Sequence, residues 1–155
     1  MITIIDYTDK YQPDFKRLNL EWLDKYHLTE SHDLEILNDP SGTVLAGGGC
    51  IFLAMDGYKV IGTAGLWKAN EKEYELVKMA VDPAYRGQGI SKMLLQRCLN
   101  EAERLKAEKL LLFSNSQLKA ALSLYEKFGF RYVEVADAPF VTADVKMELS
   151  LFQGI

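Results

Sequence analysis

Apolar positions along the chain follow two rhythms, and their alternation sets out the elements. Ile2 to Ile5 is a short β-branched run that predicts a first strand. Phe15, Leu18, Trp22 and Tyr26 then recur at spacings of three and four, the face of an amphipathic helix. A second short helix is expected through "SHDLEIL", with Ser31 and Asp33 available to cap it and Pro40 to stop it. "GGGCIFLAM" and "KVIGTAGLW" are β-rich and are separated by Asp56-Gly57-Tyr58, a hairpin signal. "EYELVKMAV" alternates less cleanly and reads as a third strand of the same sheet. From Ile90 the period returns to 3.6: Met93, Leu94, Cys98 and Leu105, with Leu95, Leu99 and Ala102 beside them, predict a long helix. "KLLLF" is apolar throughout, as a strand covered on both faces would be. A helix through Leu118, Ala121, Leu122, Tyr125 and Phe128 ends at Gly129, where a C-terminal glycine cap belongs. "RYVEV" and "DVKMELSL" close the chain as two strands. Hairpins followed by β-α-β-α-β-β predict an α/β fold: a mixed sheet with helices on both faces. A strand-helix-strand crossover requires parallel strands, so "EYELVKMAV" and "KLLLF" are expected to be parallel neighbours.

Composition narrows the function classes. The 155 residues fit one domain, taken as 1–155, with 48% apolar and 26% charged residues, ordinary values for a folded globular protein. A formal net charge of −4 argues against nucleic acid as the main partner. Cys50 and Cys98 fall on a strand and a helix and read as buried, reduced thiols. His27 and His32 have no companion ligands, so no metal site is expected. The N-terminus lacks a signal-peptide pattern, and no apolar run reaches the roughly 18 residues of a membrane span. The expected compartment is the cytoplasm, with no membrane partner.

Candidate chemistry concentrates in "VDPAYRGQGISKMLL", residues 81–95. The first amides of a helix have no intrahelical partner, and the helix dipole adds positive character there, so anions settle at such ends. Gly87 and Gly89 remove side chains that would keep a phosphate at a distance, and Arg86 adds a charged donor. Between Lys78 and Arg97 four residues are basic (Lys78, Arg86, Lys92, Arg97) against Asp82 alone. This local reversal of sign points to a phosphate-bearing ligand. The loop matches neither the dinucleotide fingerprint, since Lys92 stands where a third glycine is required, nor a P-loop.

"ELVKMAVDPAYRGQGISKMLL" followed by "LYEKFGF" resembles the GNAT superfamily of N-acetyltransferases, strongly from about Tyr74 to Arg131. The superfamily's cofactor signature, Gln/Arg-x-x-Gly-x-Gly/Ala, corresponds here to Arg86-Gly87-Gln88-Gly89-Ile90-Ser91, with serine in the last place. The resemblance implies a mostly antiparallel central sheet of six to seven strands flanked by helices. It also implies an acetyl-CoA-dependent N-acetyltransferase that moves an acetyl group directly to a primary amine of a small molecule or protein. Amides from Gly87 to Ser91, with Arg86, would hold the coenzyme A pyrophosphate. The strand end Met79-Ala80-Val81, which is bulged in family members, would align its backbone with the pantetheine arm. Tyr125 falls on the family tyrosine placed near the sulfur and would act as general acid. Leu118 stands where many members have asparagine, and Asn115 would supply an amide instead.

The acceptor amine must lose a proton before it attacks, because a free amine of pKa roughly 10.4 is protonated at neutral pH. Glu75, where several members place a glutamate, is the expected base. Trp22, Tyr26, Trp67 and Tyr74 are the substrate-side candidates, with Glu30, Asp33 and Phe140 further acidic and aromatic residues suited to a cationic amine. Two alternatives stay open: a non-catalytic coenzyme A-binding or regulatory domain of the same fold, and transfer of a different acyl group. An open sheet edge is compatible with a monomer or a homodimer.

Overall fold

The computed structural model describes residues 1–136 and 138–151. Seven strands form one sheet: β1 Ile2–Asp6, β2 Cys50–Asp56, β3 Lys59–Lys68, β4 Glu73–Val81, β5 Lys109–Ser114, β6 Arg131–Val133 and β7 Val145–Ser150. Among the described residues four α-helices accompany them: α1 Gln12–Lys25, α2 Ser31–Asn38, α3 Ile90–Arg104 and α4 Lys119–Lys127. The strand order is β1-β2-β3-β4-β5-β7-β6. Only β4 and β5 run parallel; every other pairing is antiparallel. The mixed, mostly antiparallel sheet and the parallel pair expected from the sequence are both present.

Local chemistry accounts for the boundaries. The β2–β3 hairpin closes through Gly57 and Tyr58, with Asp56 opposite Lys59. Gly57 has φ +61°, which a tight hairpin demands of its first central residue. Helix α4 ends in a Schellman motif: Phe130 N–H donates to the Tyr125 carbonyl and Gly129 N–H to that of Glu126, with Gly129 at φ +97°. Helix α2 starts at Ser31 itself, one residue earlier than a Ser31 cap would place it. Glu30 takes the N-cap position, and its N–H donates to Asp33 Oδ2 at 2.8 Å, so Asp33 caps as expected while Ser31 lies inside the helix.

Helices cover both faces of the sheet. One core gathers Leu66, Tyr74 and Leu76 from the sheet with Ile90, Leu94, Leu95 and Cys98 of α3 and Leu122 and Tyr125 of α4. The other gathers Ile51, Leu53 and Val60 with Phe15 and Leu18 of α1 and Ile36 and Leu37 of α2. Each fully buried Leu, Ile or Phe contributes about 1.5–3 kcal/mol. The α3 stripe is less apolar than its sequence reads. Met93 is exposed, and Glu101 is buried between Arg97 and Arg104, both of which donate to it. Among the described residues no helix is long and apolar enough to cross a membrane.

Candidate active site

The site is built on a flaw in β4. Strands β4 and β5 pair only from Glu73–Lys109 to Glu75–Leu111 and then part, although β4 runs on to Val81. On its other side β4 carries a bulge: Gly65 pairs with Val77 and Thr63 with Ala80, so two residues of β4 face one of β3. Within the bulge Lys78 has φ +53°, a left-handed conformation. Before it, Tyr74 and Leu76 face the α3 core while Glu75 and Val77 face the other side. The bulge reverses this parity and turns Lys78 away from the α3 core, toward Asp33 and Phe140. The Lys78 carbonyl freed by the bulge accepts from Thr63 Oγ1 at 2.7 Å. Asn19 Nδ2 of α1 donates to that same hydroxyl at 3.1 Å and to the Phe15 carbonyl at 2.9 Å.

Where β4 and β5 separate, two cavities meet. A groove of about 490 Å³ runs along Met79, Ala80 and Val81 to Arg86, Gly87, Gly89, Ile90 and Ser91. Gly87 and Gly89 both have φ +75°, and a β-carbon at either would point into open space. The amides of residues 87–91 donate to no group among the described residues, and Gly89 opens α3 without a side-chain cap. Five free amides at the positive end of a 15-residue helix form an anion cradle, and a diphosphate fits it. The Arg86 guanidinium lies 5.7 Å from the Trp22 ring, so α1 forms the opposite bank.

The second cavity, about 120 Å³, lies between β4, β5, α1, α2 and residues 138–144, and is lined by Glu75, Lys78, Asp33, Trp22, Phe140 and Thr142. Its roof is tied down by Glu30, whose carboxylate accepts from Val141 N–H at 2.9 Å, Thr142 N–H at 2.8 Å and Thr142 Oγ1 at 2.6 Å. Burial pushes the Glu75 carboxyl up to about 7, against the opposing pull of the Lys78 and Lys146 charges. Trp22, Met79, Leu118 and Tyr125 line both cavities and mark their junction. There the Tyr125 hydroxyl donates to Met79 Sδ at 3.7 Å. Burial, with a smaller contribution from Cys98, raises the Tyr125 phenol well above its ordinary range, so it stays protonated at neutral pH.

The candidates read from the sequence therefore divide. Arg86, Gly87, Gly89, Ile90, Ser91, Met79, Ala80 and Val81 share the groove; Gln88 is exposed beside it and does not line it. Tyr125 sits at the junction and Glu75 in the smaller cavity. Trp22 reaches both, whereas Tyr26 lines the groove only. Tyr74 is not open to a ligand: strand parity places it 4% exposed in the α3 core. Trp67 packs against the α1–α2 core and His32 (6.2 Å between rings) and lines neither cavity. Asn115 lines the smaller cavity, away from the groove, and both ends of its amide are engaged, Nδ2 by the Thr142 carbonyl and Oδ1 by Gln117 N–H. The basic cluster around the loop is smaller than its sequence count. Lys78 pairs with Asp33, and Arg97 pairs with Glu101 over the Phe52 ring, leaving Arg86 and Lys92 at the groove. The bulge staple of Asn19 and Thr63 and the buried Lys78–Asp33 pair were not foreseen. Their traces are an asparagine in the apolar stripe of α1 and a lysine that breaks the alternation of "EYELVKMAV".

Residues 7–130 match the model of a family described as Acetyltransferase (GNAT) family. YvbK of Bacillus subtilis, an uncharacterized N-acetyltransferase, is 30% identical over 115 residues, which cover 72% of this chain and 73% of that protein. Human N-acetyltransferase 8B is 37% identical over 90 residues, 54% of this chain but only 39% of that longer protein. Among solved structures, a GNAT-family acetyltransferase from Staphylococcus aureus Mu50 superposes with a TM-score of 0.89 at 24% identity, covering 98% of this chain and 100% of that one. The PaiA N-acetyltransferase of Thermoplasma acidophilum, determined in complex with coenzyme A, superposes with a TM-score of 0.74 at 17% identity, covering 97% and 99%. At these identities the structural likenesses speak to the fold.

Proposed function

The chain belongs to the GNAT family of acetyltransferases, and on that premise we propose that it transfers an acetyl group from acetyl-coenzyme A to a primary amine of a small molecule or a protein. The observation that carries this reading is the junction. A groove ending in an anion cradle and a cavity holding a carboxyl poised near neutrality meet at one tyrosine hydroxyl that keeps its proton.

Each residue has a task in this reading. The free amides of residues 87–91 and the Arg86 guanidinium hold the pyrophosphate. The edge of β4 from Met79 to Val81, unpaired with β5, offers main-chain hydrogen bonds to the extended pantetheine arm, as a sheet edge does to an added strand. Bound in this way, acetyl-CoA supplies an activated acetyl thioester. Glu75, with half of its population ionised near pH 7, takes a proton from the acceptor ammonium, and Tyr125 holds a proton at the junction for the departing thiolate. The contacts of Glu30 with Val141 and Thr142 hold this segment over the acceptor cavity.

Residues 1–155 are read as one such domain. The unpaired Cys50 and Cys98 support a reducing compartment, the cytoplasm.

Release of free thiol from acetyl-CoA in the presence of an amine panel tests the reading. Turnover supports it; tight coenzyme A binding with no turnover on any amine points to a non-catalytic domain. Comparing thermal stabilisation by acetyl-, propionyl- and succinyl-CoA identifies the acyl group.

A further inference from the structure

We propose that Lys78 is an acceptor-recognition residue whose ammonium binds a carboxylate carried by the amine, so that the acceptor is a small amino acid. This deepens the reading above and rests on its assignment of the smaller cavity to the acceptor.

The backbone gives the first argument. A left-handed conformation is strained for lysine, whereas glycine or asparagine adopts it at lower cost. The bulge itself requires the conformation and not this side chain. A lysine at φ +53° places an ammonium inside the cavity wall, its side chain only 6% exposed. His27 and Lys106 share this conformation away from both cavities, so what singles Lys78 out is the place of its ammonium.

The hydrogen-bond account gives the second. An ammonium has three donors. One is engaged by Asp33 Oδ1, while Asp33 Oδ2 accepts from Glu30 N–H, so both Asp33 oxygens are engaged within the protein. No other acceptor among the described residues takes a Lys78 hydrogen; the face of Phe140, 5.0 Å away, is its only further contact of this kind. Two donors therefore remain for a ligand. On the same wall, three residues earlier, the Glu75 carboxyl has no hydrogen-bond partner among the described residues. The cavity thus offers one free acceptor group and one set of free donors of opposite charge, the complement of a zwitterion. The ammonium of the amino acid lies toward Glu75 and its carboxylate toward Lys78. An amine lacking the carboxylate would leave those buried donors dry, which is penalised.

The rival view treats Lys78 only as a tie between β4 and α2. The test uses matched pairs differing in one carboxylate: alanine and ethylamine, leucine and isoamylamine, phenylalanine and phenethylamine. Each is measured by calorimetry on the coenzyme A-loaded protein and by acetyl-transfer kinetics. For at least one pair the amino acid is expected to bind, and to show a kcat/KM, about tenfold or more above its partner. Lys78→Gln alone would strand Asp33 as a buried charge and endanger folding. The variant of choice is therefore Asp33→Asn/Lys78→Gln, which keeps a neutral hydrogen-bonded pair. In it the ratio is expected to fall to about one with coenzyme A affinity unchanged, while Lys78→Arg preserves the preference. Equal or inverted preference in the native protein, a ratio that survives in the double variant, or no binding of any amino acid overturns the proposal. Carboxylate-dependent binding without acetyl transfer would sustain this site and overturn the transfer reading. Acetylation of the carboxylate-free amines alone would do the reverse.

Discussion

The Thr63 hydroxyl donates to the carbonyl of Lys78 at 2.7 Å, and the Asn19 amide donates to that hydroxyl in turn. Through this relay a helix on one face of the sheet holds open the bulge that shapes both cavities. Thr63→Val keeps the volume but removes the hydroxyl that donates to the Lys78 carbonyl and accepts from Asn19, whose amide keeps its bond to the Phe15 carbonyl; the lost pairing costs about 1–3 kcal/mol. Urea denaturation is expected to show that loss, and acceptor KM to rise as the β4 wall relaxes. Thr63→Ser is expected to recover most of both. A fully stable and active Thr63→Val variant would show that the bulge needs no staple.

Gly87 and Gly89 carry φ +75°, yet a β-carbon at either meets nothing within the protein. Alanine at these positions therefore costs only the left-handed conformation, about 1–2 kcal/mol. The larger effect falls on the ligand, because the new methyl group points into the space a pyrophosphate would occupy. The double variant Gly87→Ala/Gly89→Ala is expected to fold, with coenzyme A affinity reduced about tenfold or more by calorimetry. Unchanged affinity would remove the loop from the cofactor site.

The fold was legible in the sequence to an unusual depth because its signals are local. A glycine cap at Gly129, a hairpin glycine at Gly57 and two clean periodicities each depend on residues a few positions apart. The anion cradle was legible for the same reason: its amides are consecutive in one loop. At the smaller cavity Glu75, Trp22, Glu30, Asp33 and Phe140 were legible as residues, but their pairings were not, because the partners are distant in sequence. Asp33 meets Lys78, Asn19 meets Thr63, and Glu30 meets Thr142, partners 44 to 112 positions apart. Strand parity also misled. Tyr74 and Glu75 are neighbours, and only the sheet decides which of them enters the core and which the cavity.

Tyr125 makes one weak contact through its hydroxyl, to Met79 Sδ at 3.7 Å, while its ring packs at 5.8 Å from Phe130. Tyr125→Phe keeps the packing and removes the proton. Stability and coenzyme A affinity are expected to stay nearly unchanged while kcat falls by about a hundredfold. Full activity in this variant would assign the proton on the thiolate to water or another group.

Glu75 ties the smaller cavity to pH. Its folded pKa of about 7 lies above the ordinary 4.5 because burial opposes the charge. Between those two values the native state holds a proton that the unfolded chain has released, so folding stability falls as pH rises through this window. Below it the carboxyl is neutral in both states and costs nothing; above it the native state bears a buried charge. Glu75→Gln is therefore expected to leave stability nearly unchanged at pH 4 and to raise it by roughly 2 kcal/mol at pH 8.5. Activity moves the other way. In the native protein the kcat/KM profile should rise with an inflection near pH 7 as the carboxylate forms, and Glu75→Gln should lower kcat about a hundredfold and abolish that inflection. A variant that is more stable at high pH yet keeps the inflection would leave Glu75 as a buried charge of the cavity wall and move the base elsewhere.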